Sequence, residues 1–222
     1  MDENTLFNEI ETIYGYEKKV FNSTLEAFKM LYKTAKKIEE QYNEHNHDLQ
    51  IELNCDKNGE YEFEITVGSD IIVFMLHPNV FEFPRAHEIM KLPYVTENKL
   101  RSQCGTILIY NYIADSIKYR RINDIGYLIG RLFVNQEKHF YVEGKKEIGM
   151  FINRYGVNVL NENYAKDILE SAIQYVMHFG LLVPDYDMYK ELPVDQFLQY
   201  RDYMQIKTAK RLGFRFQADK EL

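Results

Sequence analysis

The side chains able to do chemistry are scattered along this 222-residue chain, and few stand at the spacings that catalysis or metal binding requires. Its six histidines fall as His45-Asn46-His47 and singly at His77, His87, His139 and His178, so a metal site would need distant residues to converge in space. His87-Glu88 opens like a zinc-protease helix, but the fourth residue after His87 is Lys91, not a second histidine. There is no Gly-Lys-Ser or Gly-Lys-Thr phosphate loop, dinucleotide fingerprint, Gly-x-Ser-x-Gly elbow or Cys-x-x-Cys pair. Cys55 occupies an apolar position of an alternating segment, where a small core residue is expected rather than a nucleophile. Neither a cofactor nor a bound metal is expected from these residues.

One group has more form. Glu143-Gly144-Lys145 ends an apolar strand-like run, and Asp124 stands nineteen residues upstream at the start of another. The set resembles the metal-dependent nuclease pattern of the restriction-endonuclease-like families. That resemblance implies Asp124 and Glu143 as acidic metal ligands and Lys145 beside the attacked phosphate. Such carboxylates must converge on a Mg²⁺ held at about 2.0–2.1 Å, where the ion polarises phosphate and activates water. Strand geometry argues against convergence. A tight hairpin of residues 125–134 and 139–143 with aligned apolar faces pairs Val134 with Phe140, Leu132 with Val142 and Arg131 with Glu143. Asp124 is then seven residues farther along its strand, over ~20 Å at about 3.3 Å per residue. Glu143 becomes a cross-strand partner of Arg131, worth about 0.2–1 kcal/mol.

Acidic residues give a second candidate surface. Between residues 49 and 67, Leu49, Ile51, Leu53, Cys55, Tyr61, Phe63, Ile65 and Val67 alternate with polar positions, the pattern of a hairpin with one buried face. A two-residue Asn58-Gly59 loop would set apolar against polar. A three-residue connection is therefore predicted, pairing Asp56 with Glu60, Cys55 with Tyr61, Leu53 with Phe63 and Ile51 with Ile65, with Gly59 left-handed. That register sets Glu52 opposite Glu64, with Glu60 and Glu62 nearby. Like charges opposed on a ladder are destabilising, so Glu52, Glu60, Glu62 and Glu64 are candidate contacts for a basic partner surface.

Composition bounds the rest. With 45% hydrophobic and 27% charged residues, the chain reads as one soluble domain over 1–222. No segment approaches the roughly 18 uninterrupted apolar residues of a membrane span. The acidic first residues lack the basic start and apolar run of a signal peptide, and Cys55 and Cys104 are the only cysteines, so a reducing cytoplasm is expected. The net charge of −7 opposes a large nucleic-acid footprint. Lys118-Tyr119-Arg120-Arg121 and the 207–216 region combine basic and aromatic groups, for which solvated or internally paired charge is the ordinary role.

These residues must be positioned by helices, then strands, then helices. Residues 1–45 read as helical, with a capping-box form at Ser23-Thr24-Leu25-Glu26 and an apolar stripe at Leu25, Phe28, Leu31, Tyr32, Ala35, Ile38 and Tyr42. Strands are expected within 49–143: the hairpin, residues 71–76, 106–113, 116–121, 125–134 and 139–143. Residues 78–104, carrying Pro78, Pro84 and Pro93, read as a connection with a short helix near 84–91. Residues 145–212 read as helical, with one helix over 164–179 and another beginning at Pro193.

The predicted architecture is α+β, an antiparallel sheet of six to seven strands with N-terminal helices and a C-terminal helical segment covering one face. The element order over residues 23–145 is similar to that of small acidic secretion chaperones, which implies a dimer that binds client segments. The expected function is a non-enzymatic binding or regulatory interaction module acting on a protein partner or as a homodimer. The alternatives are the Asp124, Glu143, Lys145 nuclease and a small-molecule pocket between sheet and helices.

Overall fold

The computed structural model describes residues 3–45, 51–120, 122, 124–145, 148 and 153–178, with 190, 191, 194 and 198 as isolated positions. In chain order the elements are α1 (Glu3–Asn43), β1 (Leu53–Lys57), β2 (Glu62–Val67), β3 (Asp70–Glu82), α2 (Pro93–Glu97), β4 (Gln103–Ile113), α3 (Ala114–Lys118), β5 (Tyr127–Asn135), β6 (Phe140–Gly144) and α4 (Glu162–Met177). Short 3-10 turns at Glu88–Lys91 and Lys99–Ser102 flank α2. No described helix is long and apolar enough to cross a membrane.

The capping box at Ser23 is not used, because α1 runs through it as one helix of 41 residues, about 60 Å long at 1.5 Å per residue. Both hydroxyls have other partners. Ser23 Oγ donates to the Gln136 carbonyl at 2.9 Å, and Thr24 Oγ1 reaches the Val20 carbonyl at 2.9 Å and the Val134 carbonyl at 3.3 Å. The residues that could cap a helix instead tie its middle to the end of β5. Val20, Ala27, Phe28, Leu31 and Ala35 are buried along one stripe, while residues 5–14 are exposed.

The six strands form one antiparallel sheet in sequence order, β1 to β6. The β5–β6 hairpin has the expected register, with Arg131 opposite Glu143, Leu132 opposite Val142 and Val134 opposite Phe140. The β1–β2 hairpin keeps its expected face but not its register. Cys55 pairs with Ile65 and Leu53 with Val67, so Asp56, not Glu52, stands opposite Glu64. The turn spans the residues between Lys57 and Glu62, and Gly59 is not at positive φ. Moving the turn by two residues leaves every apolar side chain on the same face, so a period-two pattern cannot distinguish the two registers.

Three further expectations are corrected. Residues 114–118 are the short helix α3, so no seventh strand forms there. The third strand does not end at Leu76 but continues through Pro78 to Glu82. The fourth begins at Gln103, leaving a shorter connection. α4 starts at Glu162, where the Asn161 side chain accepts the backbone N–H groups of Asn163 at 3.0 Å and Tyr164 at 3.1 Å. The helix expected from Pro193 lies outside the described residues.

Two apolar clusters sit on opposite faces of the sheet. Cys55, Phe63, Phe74, Ile107, Ile109, Val134 and Phe140 join residues of α1 and α4 in the larger cluster. Cys104 and Phe133, at the alternate positions of β4 and β5, join Phe83, Ile89, Val95 and Tyr155 in the smaller one. Because successive strand side chains point to opposite faces, the 83–102 segment folds over the face that α1 and α4 leave open. Short helical turns of this segment thus lie on the face opposite α1 and α4.

Candidate functional site

The interruption in β3 builds a cavity. Leu76 pairs with Ile107 and Val80 with Gly105, so His77, Pro78 and Asn79 together oppose Thr106. Proline has no N–H for the ladder, and a bulge is the position within a strand that tolerates it. The bulge turns His77 back on itself, its Nδ1 accepting the Asn79 N–H at 3.1 Å, and its ring meets Phe81 with centroids 4.8 Å apart. After β3 the chain folds over the sheet, and His87 Nδ1 accepts the Ile89 N–H at 3.3 Å, capping the 3-10 turn. Between the bulge, this turn and β4–β6 lies a half-open cavity of about 330 Å³, within the range of about 300–1,000 Å³ typical of small-molecule sites.

Phe81, Phe83, Leu108 and Phe133 form its apolar walls, and Glu82, His77, His87, Thr106, Arg131 and Glu143 supply polar groups. Arg131 Nε donates to Glu143 Oε2 at 2.5 Å, its Nη2 contacts the same oxygen, and its guanidinium carbon lies 5.3 Å from the Phe133 ring centre. Thr106 is only 4% exposed, yet its hydroxyl has no hydrogen-bond partner among the described residues. A buried hydroxyl left unpaired costs about 1–3 kcal/mol. Both imidazoles accept a backbone N–H at Nδ1, which places the proton of each neutral ring on Nε2. Cys104 also lines the cavity, its sulfur 3.1 Å from the Tyr155 hydroxyl. Burial pushes its thiol up to about 12 against that contact, so it stays protonated and is a poor nucleophile at neutral pH.

Asp124 and Glu143, the acidic nuclease candidates, have separate partners. Glu143 pairs with Arg131, whereas Asp124 precedes β5 and accepts the Ser116 hydroxyl at 2.5 Å. Asp124 stands three residues ahead of β5 and seven before Arg131, the position opposite Glu143. Lys145 donates its backbone N–H to the Ile129 carbonyl at 3.1 Å. Among the described residues no group of three or more histidine, cysteine or acidic side chains is placed to hold a metal ion.

The four acidic candidates spread along the hairpin rather than gathering at one point. Glu52 precedes β1 and accepts the Asn54 amide at 2.6 Å, Glu60 is exposed in the turn, Glu62 faces Met75 and Glu64 faces Val73. Burial, then the charges of Asp56 and Glu62, hold the Glu64 carboxyl above the usual carboxylate range against a hydrogen bond from Asn58. A raised carboxyl value means the folded state resists ionisation. The unfavourable contribution is absent where both states are protonated. It grows as pH rises through the unfolded value near ~4.3 to the raised folded one, and persists above it. Glu64→Gln is therefore expected to gain a few tenths of a kcal/mol in urea unfolding at pH 7, a gain that vanishes near pH 3. Equal or lower stability at pH 7 would mean that the Asn58 hydrogen bond outweighs the repulsion.

Sequence reasoning reached Glu143 and its partner but missed the cavity, whose residues come from β3, the 83–87 turn and three later strands. The available signal was Pro78, set between His77 and Phe81 in a run that otherwise reads as strand. Cys55 and Cys104 are free, buried and on opposite faces of the sheet, so they cannot pair with each other. No protein-family model matches this chain, and neither a curated protein nor a solved structure matches it.

Proposed function

We propose that this protein is a non-enzymatic binding module whose ligand is a small molecule held in the cavity between the β3 bulge, the 83–87 turn and β4–β6. The observation that carries this reading is the Thr106 hydroxyl, buried in the cavity lining without a partner among the described residues. The Thr106 oxygen is itself closed to solvent, so a bound molecule would supply the missing hydrogen bond once the threonine side chain turns toward the cavity, and the aromatic walls would bury its apolar part. The cavity groups favour binding over reaction, since the thiol is held protonated and the Glu143 carboxylate is engaged by Arg131. Two free buried thiols fit a reducing cytoplasm.

Thr106→Val tests the reading through stability. Replacing an unpaired buried hydroxyl with a methyl of similar shape should leave unfolding free energy unchanged or raise it by up to about 1 kcal/mol. A loss exceeding about 1 kcal/mol in urea unfolding would show that the hydroxyl has a structural partner, and would contradict a role reserved for ligand.

A second reading rests on the Glu64 observation. A basic protein surface laid against Asp56, Glu62 and Glu64 would relieve their repulsion, which supports a protein partner or a second copy at this face.

A further inference from the structure

We infer that the cavity takes a small organic cation, an alkyl- or arylammonium bearing at least one N–H. This rests on the binding role proposed above for the same cavity. The charged groups in its lining are one guanidinium and two carboxylates. Arg131 is already committed to Glu143 through two nitrogens and lies over Phe133. Glu82 accepts only the Ser102 hydroxyl at 3.2 Å and has no cationic partner among the described residues. With the His77 and His87 rings neutral, the cavity thus holds one more carboxylate than cation beside its aromatic walls.

The remaining groups fit the same ligand. Phe81 is 44% exposed at the mouth, while Phe83, 7% exposed, packs against the His87 and Phe133 rings with centroids 4.9 and 5.0 Å away. Aromatic faces attract a cation within about 6 Å of their centres. Glu143 Oε1 is left outside the Arg131 contacts, and the Thr106 oxygen can accept an N–H after a rotation of its side chain toward the cavity. An anionic ligand would have to displace Glu143 from Arg131 and face Glu82 unpaired, so the charge balance disfavours it.

Three probes of matched length and different charge separate the possibilities: 3-phenylpropan-1-ammonium, 3-phenylpropan-1-ol and 3-phenylpropionate. Each is titrated into the full chain at pH 7 and followed by backbone amide shifts of residues 81–83, 104–108 and 131–133. The cation is expected to bind about tenfold or more tightly than the alcohol, with the carboxylate weakest. Glu82→Gln, a change at an exposed position, is expected to erase most of the cation-over-alcohol advantage. Equal or tighter binding of the alcohol or carboxylate would overturn the cation preference and leave the binding cavity standing. Failure of all three to shift these amides would overturn both.

Discussion

Phe63→Ala is expected to cost about 3–5 kcal/mol, the range for removing a fully buried aromatic side chain. Phe63 is 0% exposed and sits where β2, β3 and α1 meet. Its ring stacks on Phe74 with centroids 4.6 Å apart and planes 4° from parallel, and lies 5.2 Å from Phe28 and 5.6 Å from Tyr32. Truncation therefore removes contacts to the neighbouring strand and the covering helix together, leaving a cavity that two rigid elements cannot easily close. Because domains are stable by only about 5–15 kcal/mol, the variant should be near the edge of folding. For a chain of this size the loss corresponds to a fall in Tm of roughly 6–20 °C. A loss below about 1.5 kcal/mol in urea unfolding would contradict the packing of this cluster.

Gly105→Ala is expected to cost about 2–3 kcal/mol by the opposite mechanism, overpacking. Gly105 lies in β4 between Val80 and Val134, directly beneath α1. An added Cβ would stand 2.8 Å from Thr24 Cβ and 2.9 Å from its Cγ2, closer than real carbon contacts allow. Thr24 cannot swing aside, since it is β-branched, fully buried and hydrogen-bonded to backbone carbonyls on both sides. The helix must lift from the sheet instead. Combining Gly105→Ala with Thr24→Ala should recover part of the loss, giving a coupling energy of about 1 kcal/mol or more in a double-mutant cycle. Simple additivity would mean that helix and strand do not meet through these two residues.

The two hairpins explain how far the sequence reaches. At β5–β6 a short connection and a strict apolar alternation leave one workable register, and Arg131 opposite Glu143 follows from it. At β1–β2 the same alternation fixes which face is buried, but Cys55 finds an apolar partner in either Tyr61 or Ile65, so the turn remained free to move. Ser23 and Thr24 show another ambiguity, because a hydroxyl that can cap a helix can equally bond a neighbouring carbonyl within one. Residues 114–118 are too short a run for either period to dominate. The cavity was the least legible feature. Thr106 gains significance only when the Pro78 bulge and the folded-over 83–102 segment bury it, and both depend on long-range packing rather than local pattern.

Native mass spectrometry of the untagged full chain, gently purified from its own cell and compared with Thr106→Val, shows whether the cavity holds a ligand. One small organic molecule per chain should be retained by the unmodified protein and lost or greatly reduced in the variant, with both proteins equally folded. Retention of the same molecule at full occupancy by Thr106→Val, or a bare chain in both preparations, would contradict a ligand held by this cavity.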